Sequence, residues 1–459
     1  MELKKLNGNY KLVGKYLAYD KEKLCNYSLG VLLMWEKEDY EYLEVDDTLI
    51  LRLVNFKGEK IFLYPMGKNP DSALKVMLEI SKKEGKNGLS IMSVSDKTAE
   101  ELVVKYPCLS LSSSRDWADY IYNASDLMTY AGKRFNGQRN HLNKFIKLYP
   151  NYKYKIIEKE DLPRLKAFMD ELDKTKTYLS EFQKEEFEKC YLLIENMFEV
   201  DCVGGYIEID GKIIAYCIGE IIGNTFFDHI EKADKSYEGV YQVLVKETAK
   251  AFCQNVKYIN REEDCGEIGL RTSKMQYQPT EIRNKNFIKI GTPFCKILSP
   301  VTIKTERLLI REFEDEDKVE YYNLCTDEEV NKYWGYDYKQ SVKGTPEIDY
   351  FINGVNMSKK LHEEYPLCVT FNGQFIGEVV LHNFDLDNSV ETGIRLKKEF
   401  QGQGFGVEAL KGLAEYVKNI LNAKVKGKCM LENIPSRKMF LKTGYKETKK
   451  DDTYYYFEY

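Results

Sequence analysis

Histidine and tryptophan are scarce in this chain, with four His and three Trp among 459 residues. The eleven Cys are scattered singly and no C-x-x-C pair occurs, so little material exists for a metal centre and none is expected. An odd number of unspaced cysteines fits reduced thiols rather than a disulfide framework. Excess basic charge is missing too: 68 Lys and Arg face 73 Asp and Glu, for a net charge of -5. No global field therefore collects nucleic acid or anionic lipid, although a local basic patch stays open. Long apolar runs are absent near the start, where Val31-Leu32-Leu33-Met34-Trp35 falls far short of the roughly 20 residues of a membrane span. Nor is Met1-Glu2-Leu3-Lys4-Lys5-Leu6 followed by the apolar core of a signal peptide. Together these absences predict a soluble, cytoplasmic, metal-free protein.

What is present is a repeated pattern. The length suits two to four domains, and 43% hydrophobic with 31% charged residues is a globular balance. In the last third, Arg307–Phe313 reads as a strand and Glu314–Trp334 as a helix with an acidic start. A hairpin follows, Leu367–Phe371 and Phe375–Leu381 around Asn372-Gly373, a turn whose two positions need positive φ. Next come a strand over Val390–Leu396 and a helix with Val407, Leu410, Leu413, Ala414, Val417, Ile420 and Leu421 on one face. The middle third repeats the order: strand Tyr152–Glu158, helix Leu162–Leu172, a hairpin turning at Asp210-Gly211, strand Thr225–Ile230 and helix Val240–Cys253. A fainter copy in the first third has a hairpin around Lys57-Gly58, a helix Ser72–Lys82 and a strand Leu89–Val94. Boundaries are expected near Pro150 and Pro300, giving segments 1–150, 151–299 and 300–459. The fold class expected is α/β (α+β), three tandem copies of a mixed, mostly antiparallel sheet flanked by helices.

Gln401-Gly402-Gln403-Gly404-Phe405-Gly406 lies between a strand and an amphipathic helix. Glycines there permit a tight bend and close approach, and the free N–H groups of a helix start favour an anion. A dinucleotide-binding turn would follow the first strand of a parallel βαβ unit, whereas an antiparallel hairpin precedes this one. A Walker loop would need Gly-Lys-Ser/Thr, which is absent.

Gln401-x-x-Gly404-x-Gly406 resembles the Q/R-x-x-G-x-G/A signature of the GNAT acyltransferases. Thr305–Arg311 and the ending Asn433-Ile434-Pro435-Ser436, Phe440, Gly444-Tyr445 resemble the ribosomal-protein acetyltransferase-like branch. This resemblance implies an acetyl-CoA-dependent N-acetyltransferase. Residues Gln401, Gly402, Gln403, Gly404, Phe405 and Gly406 would hold the pyrophosphate, with the pantetheine arm beside Arg395 and Leu396 and in reach of Asn433. Glu391 matches a branch carboxylate and reads either as the base for the acceptor amine or as a salt-bridged strand residue. Glu378 is a weaker carboxylate candidate. Ser436 is either the donor to the departing thiolate or a helix cap. One departure matters: Phe440 stands where many members carry a Tyr acid, and it cannot donate a proton.

Upstream, Arg139-Asn140-His141, Ile230-Glu231-Lys232-Ala233-Asp234 and Asn260-Arg261-Glu262-Glu263-Asp264 resemble blocks of the phosphatidylglycerol lysyltransferase C-terminal domain, over about residues 25–295. That family is built of two tandem GNAT-like folds, and its known members transfer an aminoacyl group from a charged tRNA. The resemblance makes Arg139, His141, Glu231, Lys232, Asn260, Arg261, Glu262, Arg271 and Lys274 candidate site residues, with tRNA as a partner through basic side chains such as Arg139 and Lys274. Two departures count against it: no membrane-spanning flippase segment is present, and Lys235–Gly239 lacks the phosphate turn, so CoA is not expected there. Three readings follow: acetyl transfer to a small-molecule or peptide amine by the last segment, aminoacyl transfer from tRNA by the first two, or a non-catalytic scaffold.

Overall fold

The computed structural model describes residues 2–55, 57–86, 88–175, 181–335, 337–340, 342 and 344–459. Three mixed, mostly antiparallel sheets flanked by helices make up the chain, in the manner of tandem GNAT-like folds. Two compact units are distinguished: Met1–Leu74 with Ser90–Glu100 and Ser110–Ile288, and Lys75–Leu89 with Glu101–Leu109 and Lys289–Tyr459. Among the described residues, no helix is long and apolar enough to cross a membrane.

Two sheets precede the last. One runs Lys4–Lys5, Glu41–Val45, Thr48–Val54, Lys60–Leu63, Leu89–Val94, the late strand Asn286–Ile290 and Cys108–Ser113, with Met66–Gly67 paired to Thr48–Val54. The other runs Glu281–Arg283, Asp119–Asn123, Tyr258–Asn260, Thr225–Ala233, Lys212–Ile222, Val203–Ile209, Lys153–Ile156. The expected hairpin turn has φ of 49° at Asp210 and 81° at Gly211, the pairing a two-residue turn demands. The boundary expected at Pro150 does not separate the sheets: Asp119–Asn123 already belongs to the second, wedged between Tyr258–Asn260 and Glu281–Arg283. Strand pairing is non-local, so a composition change near a proline does not reveal it.

The third sheet belongs to the second unit. Its order is Thr302–Lys304, Leu308–Arg311, Tyr365–Phe371, Gln374–Asp385, Ser389–Leu396, Lys424–Met430, Tyr454–Glu458, Lys446–Lys450. The hairpin turn is again of the expected kind, with φ of 50° at Asn372 and 80° at Gly373. The helix expected over 314–334 is instead two, Lys318–Thr326 and Glu328–Asn331. Asp327 interrupts it, extended at φ -72° and ψ 109°, with its carboxylate accepting from Val330 N and so capping the second piece. The helix Phe405–Asn419 packs Ala409, Leu410, Leu413, Ala414 and Val417 into a core with Ile310, Val369, Val379 and Val390, at the predicted period.

Candidate functional site

Strands Ser389–Leu396 and Lys424–Met430 pair in parallel at three positions only, ending at Glu391↔Lys426. Beyond that point each follows its other neighbour, Gln374–Asp385 or Tyr454–Glu458, so the sheet splays open. Thr392 marks the apex: its hydroxyl donates to Lys426 O at 3.3 Å and shares a 2.7 Å hydrogen bond with Tyr445 Oη. At the other end of the opened strand, the Gln401 amide donates to Leu396 O at 2.9 Å and ties the strand end to the glycine turn.

The turn itself is open. Gly402 and Gly404 take φ of 73° and 85°, and nothing lies within 4 Å of a Cβ at Gly402. Gly404 occupies the N-cap of the 15-residue helix Phe405–Asn419. Among the described residues, the backbone N–H groups of 402–407 find no acceptor, while Glu408 N closes the first helical bond onto Gly404 O at 3.1 Å. These orphan donors and the helix dipole make an anion site. Arg307 adds a cation beside it: its guanidinium lies 4.4 Å from the centre of the Phe405 ring and donates to Gln403 O at 3.3 Å, steered by Glu408 at 2.7 Å. The Phe405 side chain is core, against Phe371 at 4.7 Å, so only its backbone is available. Gln403 is exposed and donates its amide to Glu399 O at 2.7 Å.

A cleft of about 1140 Å³ extends from the splay, walled by Trp334, Val380, His382, Gly393, Lys428 and Ser436 among others. Arg395 does not turn its side chain toward the turn. It lies buried in the cleft floor, ion-paired to Glu378 at 2.6 Å and stacked 4.5 Å over Trp334. Glu378 also accepts from Tyr321 Oη at 2.8 Å, so both its oxygens are engaged and it is no free base. Lys428 Nζ lies 3.2 Å from Glu391 Oε2, although that buried oxygen has no hydrogen-bond partner among the described residues. Asn433, not Ser436, caps the last helix: its Oδ1 accepts from Ser436 N at 3.1 Å. That leaves the Ser436 hydroxyl on the cleft wall. Phe440 is buried, stacked 4.8 Å from Phe457. The hydroxyl near the apex is that of Tyr445, whose acidity burial suppresses.

The candidates in the first unit enter a different environment. The Arg139 guanidinium donates to Tyr130 O, to Gly132 O at 2.7 Å and to Asn136 Oδ1, tying down the chain ahead of its own helix. His141 is exposed and stands apart from the others. Lys232 pairs with Glu186 at 2.7 Å. Arg261 is buried between Glu231 at 2.5 Å, Asp228 at 3.4 Å and the Tyr277 ring at 4.5 Å. Asp228 and Glu231 share this cation unequally: burial and Glu231 push the Asp228 carboxyl well up, while Arg261 outweighs burial and holds Glu231 down. Arg271 pairs with Asp264 at 2.8 Å and Asp116 at 2.6 Å. Lys274, expected beside Arg271 on a basic face, instead turns inward and donates to Arg261 O and to Glu263 O at 2.6 Å. Burial and the nearby Arg261 lower its pKa. A helix of nine residues can place positions three apart on one face, but the carbonyl cage claims the ammonium first.

Asp119, Lys285 and Glu220, not singled out from sequence, complete this network with His229. Asn260 donates to Asp119 at 2.8 Å, and Lys285 bridges Asp119 at 2.7 Å and Glu263 at 2.8 Å. His229 is buried between Glu220 at 2.9 Å and Glu262 at 2.7 Å. Burial opposes its charge, yet hydrogen bonds to both carboxylates prevail and lift its pKa to about 10. Cys202, Glu220 and His229 bring their ligand atoms within 4.8 Å of one another, as do Cys25, Glu262 and Glu263. Most of these partners are far apart in sequence, and no local spacing announces them.

A glycine-lined helix start beside a splayed sheet is the arrangement of a GNAT-type acyltransferase, and such folds repeat along the chain. The family model described as "Phosphatidylglycerol lysyltransferase, C-terminal" matches residues 19–287, more than half the chain, and the protein belongs to that family. A second model, "Acetyltransferase (GNAT) domain", matches residues 307–446, so the chain also carries a GNAT acetyltransferase domain. An uncharacterized protein of Mycoplasmoides gallisepticum is 27% identical over 242 residues, covering 50% of this chain and 76% of that protein. An uncharacterized N-acetyltransferase of Bacillus subtilis is 29% identical over 143 residues, covering 31% of this chain and 81% of the relative. A solved protein of unknown function from Bacteroides thetaiotaomicron is similar at 28% identity and a TM-score of 0.58, over 63% of this chain and 99% of that one.

Proposed function

We propose that the segment 300–459 transfers an acetyl group from acetyl-CoA to the amine of a small molecule or peptide. The observation that carries this reading is the row of unsatisfied amides at 402–407, at a helix start and at the open end of the splay. A diphosphate seated there satisfies the donors and meets the helix dipole. The pantetheine arm then runs along Arg395 and Leu396 toward the apex, in reach of Asn433, and presents its thioester near Thr392 and Gly393. The lone pair of the amine attacks the carbonyl carbon, the π pair moves to oxygen, and backbone donors in the splay stabilise the oxyanion. Collapse breaks the C–S bond, and Ser436 or water returns a proton to the thiolate.

Segments 1–150 and 151–299 form the lysyltransferase-like module in this reading, and the described cysteines, none of them in a disulfide, suit the reducing cytoplasm. For its aminoacyl-tRNA alternative, Lys274 turns inward onto backbone carbonyls, whereas Arg139 keeps its charge while bonded to Gly132 O and stands on the basic helix with Arg134 nearby.

Calorimetry with acetyl-CoA tests the acetyl-transfer reading. Wild type should bind one equivalent, and Gly404→Glu should abolish binding. Because Gly404 sits at φ 85°, where a side chain also strains the backbone, Gln403→Glu is the cleaner companion. It should weaken binding about tenfold, or about 1.4 kcal/mol, through charge alone. Wild-type protein that binds no acetyl-CoA, or both variants binding as well as wild type, would overturn it.

A further inference from the structure

Amide formation needs a group to take the proton that leaves nitrogen as the C–N bond forms. Glu391 is charge-paired with Lys428 at 3.2 Å, though its buried Oε2 has no hydrogen-bond partner among the described residues, and Glu378 is held by Arg395 and Tyr321. A second candidate lies beside the apex. His382 is the cross-strand partner of Glu391 and lines the cleft. Its ring lies against Gly393, the first residue past Thr392: a Cβ built there would sit 3.7 Å from His382 Nε2, 3.6 Å from the Trp334 ring and only 2.9 Å from Val380. Glycine at 393 therefore keeps the space between the imidazole and the opened strand clear.

Resting on the acetyl-transfer reading, we propose that His382 is the general base that takes the proton from the acceptor amine, with Glu391 as a positioning residue that compensates the imidazolium. As the nitrogen lone pair forms the bond to the carbonyl carbon, one N–H proton passes to the ring nitrogen. When the C–S bond breaks, the proton returns through Ser436 or water to the thiolate, leaving amide and free thiol with no net change in the ring. The groups facing His382 are Glu391 from its own sheet neighbour, Lys428 from the strand beyond and Asn383 next in chain, which hydrogen-bonds the ring, while Trp334, in the turn past Glu328–Asn331, lies against Gly393. Burial and Lys428 hold its pKa below the usual imidazole value, against the opposing pull of Glu391.

The test is the pH dependence of kcat for full-length wild type, His382→Gln and Glu391→Gln with acetyl-CoA and a panel of primary amines. Donor binding is measured separately by calorimetry, and folding by thermal melts. His382→Gln should lose about 100-fold or more in kcat with donor affinity unchanged, and its profile should lack the acidic limb seen in wild type. Glu391→Gln should keep that limb but move it to lower pH. Since the chain has four His, proton NMR of the ring signals gives a readout independent of turnover: the signal missing in His382→Gln should titrate below the free-histidine value. A limb retained in His382→Gln, or one removed by Glu391→Gln, would overturn the assignment to His382. Wild-type protein that fails to bind acetyl-CoA would instead overturn the acetyl-transfer reading beneath it.

Discussion

Two glycines in this chain hold nearly the same conformation at the start of equivalent helices, and only one of them faces open space. Gly239 caps Val240–Phe252 at φ 86°, and Gly404 caps Phe405–Asn419 at φ 85°. A Cβ at Gly239 would meet His141 O at 2.4 Å and the Phe145 side chain at 3.2 Å. The nearest atom at Gly404 is the tip of Arg307 at 3.4 Å. The strands behind them differ in the same sense. Past its last parallel pair, Phe227↔Asn260, the second sheet is followed by Arg261, which is locked to Glu231 and Asp228. Past Glu391↔Lys426, the third sheet opens onto a cleft. In one copy the space at the helix start is taken by the His141 carbonyl and the Phe145 side chain, whereas in the other the amides stay open. Polar density alone is thus a poor sign of a site: most charges of the dense cluster are paired with one another, although Arg261 Nε and Nη1, Asp119 Oδ1 and Tyr277 Oη are buried there without a hydrogen-bond partner among the described residues.

If that is right, substitutions in the filled copy should act on stability and those in the open copy on binding. The largest effect expected is from Lys285→Met, which strands Asp119 and Glu263 as buried carboxylates. It should cost about 3–5 kcal/mol in urea unfolding, and a loss under 1 kcal/mol would show that water reaches the network.

Next comes pH. The folded pKa of His229, about 10, is raised above its unfolded value of roughly 6.5, so its stabilisation is complete below the unfolded value and is lost as pH rises toward 10. Wild type should lose stability at up to about 1.4 kcal/mol per pH unit more steeply than His229→Gln across that window. Parallel curves would mean that the ring is neutral in the folded protein.

The glycine pair gives a smaller but more direct contrast. Gly239→Ala should destabilise by about 2–3 kcal/mol, through both left-handed strain and collision with the His141 carbonyl. Gly402→Ala, at φ 73° with nothing near, should cost only the strain, about 1–2 kcal/mol. Equal costs would argue that the two turns are equally crowded.

Smallest of all is Asn433→Ala, which removes a cap and should cost about 1 kcal/mol, with Asn433→Ser restoring most of it. Loss of donor affinity in the Ser variant as well would show that the amide touches the donor besides capping the helix.

Much of the architecture was legible because its signals are local. Asn372-Gly373 and Asp210-Gly211 dictate their turns whatever surrounds them, and the glycine spacing of 402–406 dictates an open helix start. The 3.6-residue period of Phe405–Asn419 likewise survives folding. What escaped notice depends on residues far apart in the chain. Asp119 meets Asn260 and Lys285, Cys25 N meets Asp119, and Gly30 N meets Glu220. The inward turn of Lys274 depends on carbonyls of a preceding loop, and Asp119–Asn123 joined a sheet that no proline could have marked. His382 was overlooked because a lone histidine in a strand carries no spacing, and only the cross-strand register with Glu391 gives it a neighbour of consequence.

The claim on which the rest stands is that the amides of 402–407 hold the donor diphosphate. Selective ¹⁵N-glycine labelling with CoA titration tests it in solution. Gly402, Gly404 and Gly406 should shift early and saturably, with Gly239 unmoved. Shifts at Gly239, or an unperturbed set at 402, 404 and 406 while CoA binds, would contradict the assignment.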